Sequence, residues 1–425
     1  MRRVLLITYF FPPLNNVASL RTYSFARYLA AAGNRVTVLI PRHIPGGRTD
    51  DLRVDASGFT VVEADWVSHG GAAAELADVA GHGVRAWLRG LLRRLKHDWC
   101  GNILTSHDFW FPAAYRSLRQ LLSRECYDVI ISSHSPISCH LLGRIARNAL
   151  PDACWMADYR DLWSCNHFAA PPRFPFNLLQ LQIEKRLSRA ADYLTTVSAP
   201  LADQLRKTNE RPTIVIENGY FPEDCPSSHD ARPADGKLRL VYTGLIYQEQ
   251  YDVAPLFAAI NLLLQAGEVG VKQLELCFYG ANSTVLADTV SAFGLGDSVR
   301  LMHSVSRDES LAVQRSADAL IFLGKESPRT IGVLTGKIFE YMVAGPPIIA
   351  VGISTRNLAG QLIEESGTGF VCHNDPEEIA TALRQVLAGS RPTPQPDVID
   401  RYRRDRLVQR LLEAIEQCFA SRRNA

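Results

Sequence analysis

Short apolar runs alternating with stretches of helical periodicity constrain this chain more than any other feature. In the first half the runs at residues 4–10, 35–40, 128–132, 154–157 and 193–197 are candidate strands. Between the first two, residues 19–32 place Leu20, Tyr23, Phe25, Ala26 and Leu29 at helical spacing. Strand, helix and strand within about 35 residues form a βαβ unit, and such units build parallel sheets. Residues 222–237, rich in Pro, Ser and Asp, read as a linker. The pattern then restarts, with strands expected at 238–243, 274–279, 299–302, 319–323, 347–351 and 369–372 and helices such as 252–265 and 308–316. At 425 residues the chain exceeds one ordinary core. The expected architecture is α/β, two tandem doubly wound Rossmann-like domains facing a central cleft. The first domain is set at 1–210, with a closing helix at about 400–425 packing back on it, and the second at 211–400. Ligands of such sheets sit at the carboxyl ends of the strands, so the cleft is the expected active site.

Composition narrows the classes further. With 47% hydrophobic and 21% charged residues, collagen-like and disordered chains are excluded. The net charge of +2 hides an asymmetry: residues 1–210 carry 25 Lys and Arg against 18 Asp and Glu, the remainder 21 against 26. A basic half joined to an acidic half points to an anionic surface met by the first. Nine cysteines, none in a C-x-x-C pair, fit neither a disulfide framework nor a zinc site and point to a reducing cytoplasm. The basic start and apolar run at 4–11 imitate a signal peptide, but the run is short and ends at Pro12-Pro13, so it reads as a buried strand. No apolar stretch reaches the roughly 18–20 residues of a membrane span. Residues 84–99 stand apart. Val84, Trp87, Leu88, Leu91, Leu92, Leu95 and Trp99 share one helical face, while Arg85, Arg89, Arg93, Arg94 and Lys96 crowd the rest. That pattern suits an interfacial helix on anionic lipid, with Trp87, Arg89, Arg93, Arg94 and Lys96 as membrane contacts; it equally suits a core-facing helix with a basic back. The basic residues do not form a groove-tracking patch with interleaved aromatics, so no nucleic-acid partner is expected.

Several segments carry chemistry. Arg21 lies one turn into the first helix, within reach of a phosphate. His134 ends a parallel strand and faces the cleft, where it can bind hydroxyls or phosphate. The run Asp158-Tyr159-Arg160-Asp161 sets a carboxylate beside a guanidinium at a strand end, supplying a hydroxyl acceptor and a phosphate clamp. The loop Gly332-Val333-Leu334-Thr335 runs through Gly336 and Lys337 into a helix, and loop amides at a helix N-terminus form an anion site. No D-x-D motif or His/Cys ligand cluster is apparent along the chain, and no metal is expected.

Taken together these segments resemble bacterial glycosyltransferases of the GT-B fold, of the retaining family 4 type that includes enzymes of lipopolysaccharide and exopolysaccharide assembly. Further stretches carry the likeness: Phe10-Phe11-Pro12-Pro13 with Asn15-Asn16, the D-x-R-D-x-W run ending at Trp163, residues 191–198 and 214–219, and Lys337-Ile338-Phe339-Glu340-Tyr341. The resemblance implies that Asp158, Arg160, Asp161 and His134 are catalytic and that Asn15, Asn16 and Arg21 lie on the acceptor side. It implies a donor site of Gly244, Tyr279, His303, Val305, Lys325, Arg329, Gly332, Val333, Leu334, Thr335, Lys337 and Glu340, with Glu340 on the ribose hydroxyls. Two departures stand out. Gly332 occupies the first position of the family's E-x7-E pair, and Leu245 to Gln250 lack the usual Arg and Lys phosphate clamp. Lys325, Arg329 and Lys337 are the cations that compensate. The implied reaction is retaining transfer of a sugar from a nucleotide diphosphate sugar, without metal or other cofactor, to a lipid-linked or glycan acceptor of cell-surface polysaccharide. The implied place is the cytoplasm, peripheral on the inner membrane face. A catalytically inactive GT-B subunit and a nucleotide-sugar epimerase are the alternatives.

Overall fold

The computed structural model describes residues 1–43, 52, 54–68, 99–166, 172–225, 235–246, 251–280, 283–327 and 332–423. It divides into two compact units, Met1–Glu217 with Leu407–Ala425, and Asn218–Arg406. In the first, the strands are β1 (Arg3–Thr8), β2 (Arg35–His43), β3 (Thr60–Ser68), β4 (Val129–His134), β5 (Cys154–Tyr159), β6 (Tyr193–Thr196) and β7 (Thr213–Val215). They pair in parallel in the order β3-β2-β1-β4-β5-β6-β7. The second unit has β8 (Leu238–Thr243), β9 (Leu274–Tyr279), β10 (Val299–Met302), β11 (Ala319–Leu323), β12 (Ile348–Val351) and β13 (Gly369–Cys372), parallel in the order β10-β9-β8-β11-β12-β13. Each unit is a doubly wound α/β sheet. Strand order reverses between β1 and β4 and between β8 and β11, and the crevice outside such a reversal is where this architecture holds ligands. Every residue of β4 and β5 is buried, the apolar starts at 129–131 and 154–157 as well as the polar Ser132, Ser133, His134 and Asp158 that follow them.

Several boundaries differ from the sequence reading. β1 stops at Thr8 because the Phe10 carbonyl turns to accept from Thr8 Oγ1 (3.0 Å) and Thr22 Oγ1 (2.7 Å). β3 and β7 were not expected. β7 pairs with β6, and so the first unit runs through Glu217 instead of ending at 210. The stretch taken as a linker holds a short 3-10 turn, Pro222–Asp224, whose Asp224 is buried. The basic segment at 84–99, including Trp87, Arg89, Arg93, Arg94 and Lys96, lies outside the described residues but for Trp99.

From Leu407 the closing helix, Arg404–Arg423, belongs to the first unit. Leu407, Leu411, Ala414, Ile415 and Cys418 are buried at helical spacing. Asp192 pins its end, accepting from Arg422 Nη2 (2.7 Å) and from the Trp155 amide (2.8 Å). Spacing along the chain shows no ligand cluster, yet folding brings Cys154, Asp192 and Cys418 within 4.8 Å of one another. Both Asp192 oxygens are committed to those donors, and Arg147 Nε lies 3.7 Å away, so this carboxylate serves to fasten the helix.

Gly143 shows how closely the Ser138–Ala149 helix lies on the sheet: a Cβ there would sit 2.8 Å from both Ser132 Oγ and Trp155 Nε1. Those two atoms share a hydrogen bond of 2.9 Å. Gly143→Ala is therefore expected to cost about 1–3 kcal/mol through overpacking, measured by urea unfolding.

Candidate functional site

In the second unit the site assembles at the carboxyl ends of β8, β9 and β10. β8 is followed by Gly244, whose φ of 117° favours glycine, and its amide donates to the Tyr279 carbonyl at 2.8 Å. Gly280 repeats the move one strand over, donating to the Met302 carbonyl at 3.2 Å. These bonds line up the expected donor residues Gly244 and Tyr279 with the loop after β10, where His303 is exposed and Val305 half-buried.

Facing β8 is the Gly336–Ala344 helix, N-capped by Thr335. Among the described residues the buried Thr335 hydroxyl oxygen and Asn218 Oδ1 bond no partner, while Asn218 Nδ2 donates to the Leu334 carbonyl at 3.4 Å. An unspent hydroxyl beside the amides of a helix start is suited to an anion. Lys337 follows. Its Nζ sits 3.7 Å above the Tyr242 ring, and Gly244 makes room for it, since a Cβ there would lie 3.0 Å from Nζ. Burial pushes the Lys337 ammonium down to about 7, opposed by the charge of Glu340. A cation loosely neutralised in this way is primed to accept a phosphate as partner.

Glu340 lies one turn further on. Burial raises its carboxyl above the ordinary range, against the pull of Arg307, whose Nη2 stands 3.5 Å from Oε1. Arg307 itself grips Asp224 with two bonds, of 2.9 and 2.6 Å. It opens the Arg307–Arg315 helix directly after a reciprocal cap between Ser306 and Glu309, which fixes where its side chain emerges. From the same helix Gln314 helps to lower the Glu340 carboxyl, and donates to Thr243 Oγ1 at 3.2 Å. The Thr243 amide donates in turn to Tyr341 Oη at 2.9 Å. Arg307, Asp224 and Gln314 carried no motif and were missed; the capping box S-x-x-E before residue 310 was the available signal.

Other expected donor residues take varied places. Gly332 and Leu334 are buried and Val333 half-buried on the approach to the helix, Lys325 is exposed just past β11, and Arg329 lies outside the described residues.

In the first unit, two expected site charges are turned on each other. Arg21 and Asp158 form a buried pair, with Nη2 to Oδ1 at 2.7 Å. Thr195 Oγ1 and Ser133 Oγ complete the carboxylate at 2.7 and 2.8 Å, and Arg21 Nη1 donates to the Ile216 carbonyl at 2.6 Å. Neither side chain is left over for a phosphate or an acceptor hydroxyl, so both act as a pin inside the fold. Asn16 is likewise engaged as the N-cap of the Val17–Ala31 helix, accepting from the Ser19 amide at 2.8 Å, with Asn15 half-buried before it. His134 ends β4 as expected. Burial pushes its imidazole down to about 4, and its Nδ1 lies 3.2 Å from the Asp161 carbonyl oxygen. Its NMR shifts are expected to stay flat between about pH 5 and 8; a midpoint in that range would exclude this packing. Arg160 and Asp161 pair with each other just beyond β5, half-buried.

The architecture is that of the GT-B glycosyltransferases, and the sequence agrees. Residues 18–219 match the glycosyl transferase 4-like domain and residues 237–389 match the glycosyl transferases group 1 domain. The chain belongs to the family 4 type of GT-B glycosyltransferases and is a transferase enzyme. No curated protein sequence matches it. Among solved structures it is similar to sucrose-phosphate synthase from Thermosynechococcus elongatus, with 15% identity over 99% of this chain and 100% of that one and a TM-score of 0.68. The lipopolysaccharide outer core galactosyltransferase WaaB is similar at 14% identity over 98% and 99%, TM-score 0.54. A UDP-GlcNAc 2-epimerase from Methanocaldococcus jannaschii shares the fold at 10% identity over 97% and 99%, TM-score 0.53.

Proposed function

We propose that the chain transfers a sugar, with retention of anomeric configuration, from a nucleotide diphosphate sugar held by the second unit to a lipid-linked glycan of cell-surface polysaccharide held by the first. One observation carries the donor half: Lys337 and the unspent Thr335 hydroxyl gather beside Gly244, with Glu340 one turn away. The helix start and ammonium meet the diphosphate, and the carboxylate accepts from the ribose hydroxyls. Leaving-group charge is stabilised by these fixed donors without a divalent ion. On the acceptor side the reading keeps His134, Arg160 and Asp161, at the carboxyl ends of β4 and β5, since the pin Arg21–Asp158 is spent.

The acceptor class is supported by the basic first half, by the basic amphipathic segment at 84–99, and by the likeness to a lipopolysaccharide galactosyltransferase. Among the described residues no helix is long and apolar enough to cross a membrane, so the proposed contact is peripheral, on the inner face.

A panel of nucleotide sugars and nucleoside diphosphates tests the donor half. A true donor at a hundredfold excess over Kd is expected to add about 2–3 kcal/mol of apparent stability. Chelator should leave turnover intact, and the product's anomeric signal should keep the donor's configuration. A panel without any stabilising nucleotide would favour an inactive subunit, and free-sugar epimerisation without acceptor would favour an epimerase. Flotation with anionic vesicles, comparing the chain with its Arg89→Glu, Arg93→Glu, Arg94→Glu variant, tests the membrane half.

A further inference from the structure

We infer that Arg307 is a positioning residue for donor binding: it orients the Glu340 carboxylate toward the ribose and so sets the preference for ribonucleotides over deoxyribonucleotides. The inference rests on the donor-site reading above and adds to it a residue that no motif marks.

A carboxylate reads a pair of neighbouring hydroxyls because both its oxygens accept. It does so only while it is ionised and held at one rotation. Glu340 is three residues beyond Lys337 on a short helix and half-buried, a setting that by itself favours the neutral, donating form. Arg307 supplies the compensating charge, 3.5 Å from Oε1. It cannot follow the carboxylate if that swings, because Asp224 holds two of its nitrogens at 2.9 and 2.6 Å and Phe221 lies under the guanidinium, 5.9 Å from centroid to Cζ. Asp224 is buried, so the grip is stiff. Gln314 approaches the same carboxylate from the same helix and is itself tied to Thr243 and Ser310, at 3.2 and 3.1 Å. Arg404, stacked on Phe221 at 4.7 Å, adds positive potential behind it. Glu340 is thus fixed from one side by a guanidinium and an amide that are each anchored elsewhere, which leaves its remaining acceptor capacity for a ligand.

Calorimetric titration of the full chain with ribonucleoside diphosphates and their 2′,3′-dideoxy counterparts is the test. The wild type is expected to favour the ribo ligand by at least about 100-fold, the weight of two hydrogen bonds to a charged group. In Arg307→Gln that ratio should fall to within about threefold of one, with dideoxy affinity unchanged. Because this change leaves Asp224 buried and unpaired, the double variant Asp224→Asn, Arg307→Gln serves as the folding-safe form and should behave alike. Glu340→Gln should also erase the ratio, and combining it with Arg307→Gln should add nothing. Arg307→Lys should restore part of it. Variants that fold and keep the wild-type ratio overturn the role of Arg307 alone. Equal loss of ribo and dideoxy binding means a general structural part and overturns it as well. A wild type that binds nucleotides without preferring the ribo form overturns the placement of Glu340, and one that binds none overturns the donor site itself.

Discussion

Asp158→Ala is expected to lower the stability of the first unit by about 3–5 kcal/mol, since it strands the Arg21 guanidinium in the interior. Arg21 is 1% exposed, and its partner supplies three of its contacts. In a unit of this size the loss corresponds to a fall of roughly 10 °C in Tm. A role for Asp158 in catalysis alone predicts lost turnover at unchanged stability, so unfolding and activity measured on one preparation separate the two. Arg21→Met with Asp158→Leu should recover much of the loss, because removing both charges leaves nothing unpaired. The pH dependence has a definite sign. Burial alone would raise the Asp158 carboxyl, but the charge of Arg21 and hydrogen bonds from Arg21, Thr195 and Ser133 hold it below the ordinary value. Its stabilisation is therefore present above an unfolded value of about 3.9 and is lost as pH falls through the lower folded value. Urea unfolding between about pH 2 and 6 should show that acid limb in the wild type and not in Asp158→Ala.

Why the sequence betrayed some features and hid others follows from range. β8 to β11 are legible to the residue because each is a short, mainly apolar run set off by turn residues; β11 is apolar throughout, and β8, β9 and β10 carry one charged residue each, Arg239, Glu275 and Arg300. β3 hides because Glu63 and Asp65 interrupt it, as an edge strand allows, and β7 because three residues carry no period. The site divides in the same way. Lys337 and Glu340 are marked by one local loop and helix, whereas the groups that settle their state come from far along the chain: Asp224 reaches Arg307 across 83 residues, and Arg21 reaches Asp158 across 137. Composition even misdirected the first of these, since Pro, Ser and Asp around 222–237 signal a linker although Asp224 is among the buried charges. A charged residue at a strand end looks the same in sequence whether it meets a substrate or another side chain, and only the partner decides.

Lys337→Met should weaken donor binding by about 10- to 100-fold, the value of a charge-assisted bond to phosphate, and at the same time raise the unfolding temperature of the free protein. Both effects follow from one burial. The ammonium is pushed down to about 7 in the fold, whereas an unfolded lysine holds its proton to about 10.4. Between those values the unfolded chain binds more protons, so the stability of the free protein should rise with pH across that window. Methionine removes the buried charge and keeps contact with the Tyr242 ring, and the rise should vanish. A diphosphate set against Nζ reverses the preference, because it favours the charged form. Above about pH 7 donor binding must then take up a proton, and affinity should fall by up to tenfold per pH unit. Lys337→Met should bind weakly and evenly across that range. Calorimetry in two buffers of different ionisation enthalpy measures the proton directly. Uptake in the wild type and none in the variant would place the leaving diphosphate on Lys337, while equal affinity and equal slope would place it on another cation, with Lys325 the nearest choice past β11. On the proposed reading the lysine takes the place of the clamp that residues 245–250 lack, and the helix that carries it also carries Glu340, so one element would present a cation to the diphosphate and a carboxylate to the ribose.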